Sequence, residues 1–190
     1  MLTYEHLKAK FEASNSTARR TLSIQEYAHA AVLVPLISSN NKLELLFTKR
    51  TDSVETHKGQ ISFPGGMVDD ADEDIIHTAL READEEVGLP HSCIEVLGLL
   101  DDMATPSGFV ITPVVGVVHE LPILNLNMDE VAEVFRVELD FFAHPSNGRT
   151  EMREFRGTKH EVWFYDRGDH VIWGATAMII RSLLKKLQIR

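Results

Sequence analysis

The stretch from Asp70 to Leu89 constrains the chain more than any other, because it carries its own start, its own apolar face and its own stop. Asp70 is a suitable N-cap, and Glu73, three residues on, completes a capping-box-like pair. Asp70, Asp72, Glu73 and Asp74 place negative charge at the helix end whose backbone N–H groups lack partners. Ile76, Leu80, Ala83 and Val87 recur at helical spacing and make one apolar stripe. Gly88 suits the left-handed position just past a helix, and Pro90 forbids continuation. The pattern predicts an amphipathic helix over 70–89 that must lie on a core supplied by other elements.

Those elements read as strands. Ala30–Ile37, Leu43–Arg50, Ile94–Leu100, Phe109–Val118 and Val134–Leu139 are apolar or alternating runs, Gln60–Phe63 is strand-like, and Ser38–Asn41 is turn material. Glu151–Phe155 and Glu161–Tyr165 alternate around Gly157-Thr158-Lys159 as a hairpin does. From Trp173 to Leu187, Ala177, Ile180, Leu183, Leu184 and Leu187 fall at helical spacing. Residues 3–13, with Leu7 and Phe11, suit a short helix, and 14–27 are polar connection. Strands interspersed with helices predict an α/β class built on a mixed sheet. At 190 residues the chain is about one average domain, with no repeat or linker to divide it. We therefore expect one domain over 1–190, an N-terminal arm over 1–27 and a core over about 28–187.

Composition narrows the partners. The longest apolar stretches, Ala30–Ile37 and Val110–Val118, are interrupted by proline or threonine and fall short of the roughly 20 residues a membrane span needs. The start lacks the basic-then-apolar pattern of a secretory signal, and the lone Cys93 has no internal disulfide partner, so a cytoplasmic location is the expectation. With 29 acidic against 19 basic residues and a net charge of −10, a broad basic face for nucleic acid is not expected. An acidic protein acting on an anionic substrate needs local compensation, from a divalent metal or a small basic cluster.

On the predicted helix, Glu82, Glu85 and Glu86 stand three and four residues apart, within roughly a 100° arc and away from the apolar stripe. Carboxylates this close repel, so they are either fully solvated or gathered around a hard cation. Arg81, four residues before Glu85, is placed to neutralise part of the cluster. An isolated acidic run is ordinarily a solvated face. The preceding Phe63-Pro64-Gly65-Gly66 favours the cation, because paired glycines let backbone approach a ligand and offer a carbonyl as a further hard donor.

The stretch from Gly66 through Glu73, Arg81, Glu82, Glu85, Glu86 and Gly88 to Leu89 resembles the Nudix box, G-x5-E-x7-R-E-U-x-E-E-x-G-U with U aliphatic. One departure stands in it: six residues, not five, separate Gly66 from Glu73. Upstream, Leu46-Phe47-Thr48-Lys49-Arg50-Thr51, Gly59 and Phe63-Pro64-Gly65-Gly66 are similar to the coenzyme A pyrophosphatase signature L-L-T-x-R-[S/A]-x3-R-x3-G-x3-F-P-G-G. Downstream, Thr112–Gly116, Asp129-Glu130-Val131 and Trp173–Ala177 follow in the order of that subfamily. Two positions depart: the second arginine of the signature falls on Glu55, and its small residue is Thr51.

The resemblance implies a Nudix-type α/β/α sandwich that hydrolyses a diphosphate linked to another group. It implies Mg²⁺ or Mn²⁺ held chiefly by Glu82 and Glu86, helped by Glu85 and the Gly66 carbonyl. Arg81 and Glu73 would pair to brace the loop–helix junction, with Gly88 closing the motif. The base would be Glu85 or a metal-bound hydroxide, with Glu130 as a further candidate. Lys49, Arg50, His57 and Lys58 form a basic island in an acidic chain, read either as a charged turn or, with Gly65, as phosphate contacts.

For coenzyme A or its acyl derivatives the products would be 3′,5′-ADP and 4′-phosphopantetheine. A second reading is a Nudix enzyme for ADP-ribose, a nucleotide sugar or a dinucleoside polyphosphate, supported by Glu55. A third is a noncatalytic nucleotide-binding module, which would not need all the carboxylates. The expected partner is a small nucleotide substrate, and a second copy of the chain is a further candidate. Phe109, Trp163 and Trp173 are core aromatics or adenine-stacking groups. His57 and His77 have no second ligand at zinc spacing, and neither H-E-x-x-H nor G-x-S-x-G occurs.

Overall fold

The twelve-residue run Ala28–Ser39 forms strand β1, buried over most of its length, as a strand covered on both faces must be. A computed structural model describes residues 3–14, 19–39, 42–52, 59–155 and 157–189 of the chain. After helix α1 (Tyr4–Ser14) and β1 come β2 (Lys42–Arg50), β3 (Ile61–Ser62), β4 (Gly65–Met67) and helix α2 (Ile75–Val87). Strands β5 (Glu95–Leu99), β6 (Met103–Ala104), β7 (Phe109–Val118) and β8 (Val131–Glu138) follow, then helix α3 (Leu139–Ala143). Strands β9 (Gly148–Phe155), β10 (Thr158–Arg167) and β11 (His170–Trp173) lead into helix α4 (Gly174–Lys186).

β1 lies parallel to β7 and antiparallel to β2, whose other edge carries β8, while β5 and β6 run antiparallel to β7. β9, β10 and β11 make a separate three-stranded antiparallel sheet. Pro35 in the middle of β1 is tolerated for a positional reason. β1 pairs β4 at Ala30–Val32 and β2 at Leu36–Ser39, so Pro35 falls in the gap where the partner changes. Into that gap runs the Phe63-Pro64 segment, whose Pro64 carbonyl accepts from the Leu33 N–H at 2.8 Å.

Alternation along the strands feeds two cores. Val34, Leu36, Leu45, Phe47, Val115 and Val117 pack with Leu7 and Phe11 of α1 and with Ile179, Ile180, Leu183 and Leu184 of α4. Leu33, Leu46, Val114 and Val118 face Ala79, Ala83 and Val87 of α2. The result is the mixed α/β sheet expected from the strand and helix pattern, in the α/β/α sandwich that the family resemblance implies. Among the described residues no helix is long and apolar enough to cross a membrane.

The helix over 70–89 is present but starts later than the capping pattern predicts. Its N-cap is Asp74, whose side chain accepts from the His77 N–H at 2.8 Å, and not Asp70. Asp69 and Asp72 spend their carboxylates on nearby N–H groups, Asp69 on that of Ala71 and Asp72 on that of Asp69, so the chain turns before it coils. Gly88 ends the helix at φ 66°, as its left-handed position requires. Burial on α2 also sits differently from the expected stripe: Ile76 and Leu80 are half-buried, while Thr78, Ala79 and Glu86 lie inside.

Candidate active site

Three backbone features aim the charged side chains at one place. First, Arg50 at the end of β2 has the parity of Leu46, which packs on α2, so its side chain starts on that face of the sheet. The register shift beside it, with Lys49 opposite Glu133 and Arg50 opposite Val131, leaves the extra residue, Ala132, on β8. Arg50 reaches Glu86 at 3.9 Å. Lys49, one residue earlier, has the parity of Leu45 and Phe47 and so belongs to the opposite face of the sheet. Second, β4 holds Gly65 and Gly66 beside α2. A Cβ on Gly66 would stand 2.4 Å from Glu82 Oε1. Third, the connection before β8 wraps the end of α2. Asn125 N–H donates to the Val87 carbonyl and Asn127 N–H to that of Glu86, satisfying groups a helix end leaves open. Asn127 Nδ2 then donates to Glu130 Oε1 at 3.1 Å.

The outcome is a cluster in which Glu82, Glu86 and Glu130 sense one another. Glu86 is 4% exposed. Burial pushes its carboxyl up to about 8; Arg50 opposes the shift, and the charges of Glu82 and Glu130 add to it. Burial also raises Glu82, against the bond from Arg81. Glu86 Oε2 and Arg50 Nε are both buried without a hydrogen-bond partner, an uncommon state for interior polar atoms. Glu86 therefore does not face away from the core as its place relative to the apolar stripe predicts; it is roofed by β4 and the Asn127 loop. Glu85 is exposed and bound by Arg81 at 3.0 Å.

Arg81 does brace the loop–helix junction, but not through Glu73. Its Nε and second terminal nitrogen donate to Asp72 at 2.9 and 3.1 Å, its other terminal nitrogen to Glu82 and Glu85, and a further bond reaches the Met67 carbonyl. Asp72 also accepts from Thr78 Oγ1 and pairs with His77 Nδ1, and these bonds, Arg81's first, hold its carboxyl far below the usual carboxylate range. Glu73 is exposed. The signal was available: with five residues between, the box's own spacing, Asp72 follows Gly66. The insertion thus lies between the acid and Arg81. Asn127 is the other residue missed, and no spacing pattern points to it.

His57 and Lys58, like Glu55, lie outside the described residues. Trp163 packs under Arg181 with the guanidinium 3.3 Å from its ring centre. Trp173 is part-exposed and stacks on Phe164, and Phe109 is half-buried at the start of β7. Cys93 is half-buried against the α2 core.

The family that the box resembles uses divalent metal. Among the described residues no three His, Cys, Asp or Glu side chains are already gathered at coordinating distance. The donor set nonetheless fits a hard cation: Glu86 presents a buried, unbonded carboxylate oxygen, and Glu82 lies against a glycine that leaves it room.

A family profile for the NUDIX domain matches residues 27–164. The chain is similar to the Nudix hydrolase NudL of Photorhabdus laumondii, 42% identical over 161 residues that cover 85% of this chain and 86% of that one. It is also similar to NudL of Escherichia coli strain E24377A, 36% identical over 100% of this chain and 97% of its relative. In three dimensions it is similar to a MutT/nudix family protein from Enterococcus faecalis, with a TM-score of 0.61 over 99% of this chain and 75% of that one; at 18% identity this likeness speaks to fold alone. The box on α2, the profile across most of the chain and the full-length relatives agree: this chain belongs to the Nudix hydrolases.

Proposed function

We propose that this Nudix hydrolase cleaves the diphosphate of coenzyme A or its acyl derivatives, releasing 3′,5′-ADP and 4′-phosphopantetheine, with Mg²⁺ or Mn²⁺ as cofactor. The observation that carries the reading is the meeting of two motifs distant in sequence. Arg50, from the segment similar to the coenzyme A pyrophosphatase signature, faces Glu86, from the Nudix box, at 3.9 Å.

Glu82 and Glu86, with the Gly66 carbonyl, would hold the cation, and Glu85 stands at the rim on Arg81. A divalent cation bound there would neutralise diphosphate charge and polarise water for attack on phosphorus. Arg50, with the Gly65 backbone beside it, is placed to receive a phosphate, and His57 and Lys58 are the further candidates for that contact; Lys49, on the opposite face of the sheet, is no longer one. Glu130 is favoured over Glu85 as the base that takes the proton of the attacking water. Its charge acts on both Glu82 and Glu86, and Asn127 holds it, whereas Glu85 is committed to Arg81. Arg81 orients Glu82 and so serves the site indirectly.

Glu86→Gln keeps shape and removes the charge. Losing an outer partner of a metal ligand costs 10- to 100-fold, so losing a ligand is expected to cost at least about a hundredfold in cation-dependent turnover. Wild-type turnover in that variant refutes the assignment. For substrate, coenzyme A, an acyl-coenzyme A, ADP-ribose, a nucleotide sugar and a diadenosine polyphosphate are incubated in parallel and the products identified by mass. Rapid cleavage of another compound with none of the coenzyme A species selects the second reading, to which Glu55 points.

A further inference from the structure

Arg50 and Glu86 form an unusual ion pair. They stand 3.9 Å apart, too far for a hydrogen bond, and each keeps one buried polar atom, Arg50 Nε and Glu86 Oε2, with no hydrogen-bond partner among the described residues. A pair built only for stability would close that gap, because each unmet buried atom costs free energy. The backbone fixes the arrangement: the alternation of β2 puts Arg50 on the same face as Leu46, which packs on α2, and β4 lies beside α2. The two unmet atoms call for complementary partners, an anion for Arg50 and a cation for Glu86.

We propose that Arg50 is a resident counter-ion of Glu86 that makes cation and phosphate binding interdependent. With Arg50 on Glu86, the guanidinium repels an arriving divalent cation. A phosphate that draws Arg50 away frees the carboxylate, and a cation that takes the carboxylate frees Arg50 for the phosphate. Either ligand alone meets resistance, and the cation–phosphate pair together satisfies both residues. Arg50 is thus a positioning residue that acts through Glu86, and the inference rests on Glu86 being a cation ligand.

The test measures Mn²⁺ binding to the intact protein without turnover, by electron paramagnetic resonance of free Mn²⁺, in wild type, Arg50→Gln, Arg50→Lys and Glu86→Gln. Removing one unit charge about 4 Å from the ligand is expected to tighten Mn²⁺ binding roughly tenfold in Arg50→Gln. Arg50→Lys is expected to stay near wild type, which a purely structural role would not produce. Adding 3′,5′-ADP as the phosphate probe is expected to tighten Mn²⁺ binding more in wild type than in Arg50→Gln. Melting temperatures confirm folding, and Arg50→Met replaces the amide if that variant fails to fold. Unchanged or weaker Mn²⁺ binding in Arg50→Gln, or an equal gain from 3′,5′-ADP in both proteins, overturns the proposal. If Glu86→Gln binds Mn²⁺ as wild type does, the cation site itself is wrong, a result distinguishable from failure of the Arg50 inference alone.

Discussion

Gly65 and Gly66 are neighbours with different obligations. A Cβ on Gly65 would stand 2.3 Å from the Ala31 carbonyl oxygen and 2.6 Å from Val32 Cα, both backbone atoms of the central strand. The three atoms nearest a Cβ on Gly66 all belong to the Glu82 carboxylate, the far end of a flexible side chain. Gly65→Ala is therefore expected to destabilise by about 2 kcal/mol or more, a fall of roughly 4–8 °C in Tm. Gly66→Ala should keep its Tm within a few degrees yet lose about a hundredfold in turnover as Glu82 is pushed aside. Equal thermal shifts in the two variants would contradict this division. A second pair of neighbours separates motif from brace. Asp72, almost fully buried, holds Arg81, Thr78 and His77, while Glu73 is exposed. Asp72→Ala is expected to cost about 3 kcal/mol in urea unfolding and Glu73→Ala no more than about 0.5. The reverse order would restore Glu73 as Arg81's partner. Glu82 and Glu86 were legible in sequence because their spacing is set by the helix they share, and Gly66 because it stands in the paired glycines of the preceding loop. Asp72 was not, because a turn and a longer gap before Arg81 let either of two adjacent acids serve.

At the scale of elements, strands were read well where burial repeats along the run. Phe109–Val118 is found at the bounds its apolar pattern predicts, and β1 and β2 extend theirs by one or two residues. The pieces that escaped, β4, β6, β11 and α3, are two to five residues long, too short for a period to show. The register shift beside Arg50 escaped for another reason: it is a property of two strands in register and belongs to neither alone. Helix α1 was foreseen from Leu7 and Phe11, but its polar tether was not. Tyr4 and Lys8 donate to Glu95 of β5, and His119 bonds it from the other side. The bonds from His119 and Tyr4 depress the Glu95 carboxyl to about 2 from an ordinary 4.5. A depressed carboxyl contributes stability that is present above 4.5 and lost as pH falls toward 2. Glu95→Gln should therefore be less stable than wild type near neutrality, and the difference should shrink across that acid window. A gap that stays constant down to pH about 2 would show that Glu95 contributes no ionic tether.

Across the whole molecule, the layered fold follows from local pattern, since one sheet with two apolar faces must be covered twice. How its distant parts are locked together does not, and buried Asp102 shows why. Its carboxylate accepts from Arg19 at 2.6 Å, from the Leu22 N–H at 2.8 Å and from Thr112 Oγ1 at 2.7 Å, while its own N–H donates to the Arg20 carbonyl. One side chain thus joins the N-terminal arm, the β5–β6 connection and β7. Two of those three carboxylate contacts span 80 residues or more in sequence, so no window of residues reveals them. The arm over 14–27, read in sequence as surface connection, is tied down at 19–22 chiefly by this group, with the Asp101 carboxylate accepting from the Arg20 N–H and the Leu100 carbonyl from Arg19. Asp102→Ala would leave a guanidinium, an N–H and a hydroxyl without their acceptor, at an expected cost of about 3 kcal/mol and a Tm lower by roughly 6–12 °C. The loss should be local before it is global. Limited proteolysis within 19–27 and faster hydrogen exchange at Leu22 are expected below the melting transition, while exchange in β1 stays slow. Asp102→Asn, which keeps the volume and one acceptor, should fall between the two. If the alanine variant melts as wild type does, or if the arm and β1 open together, Asp102 is not the fastening point and the arm is held by its other contacts, the bonds to Asp101 and Leu100 and the apolar docking of Leu7 and Phe11.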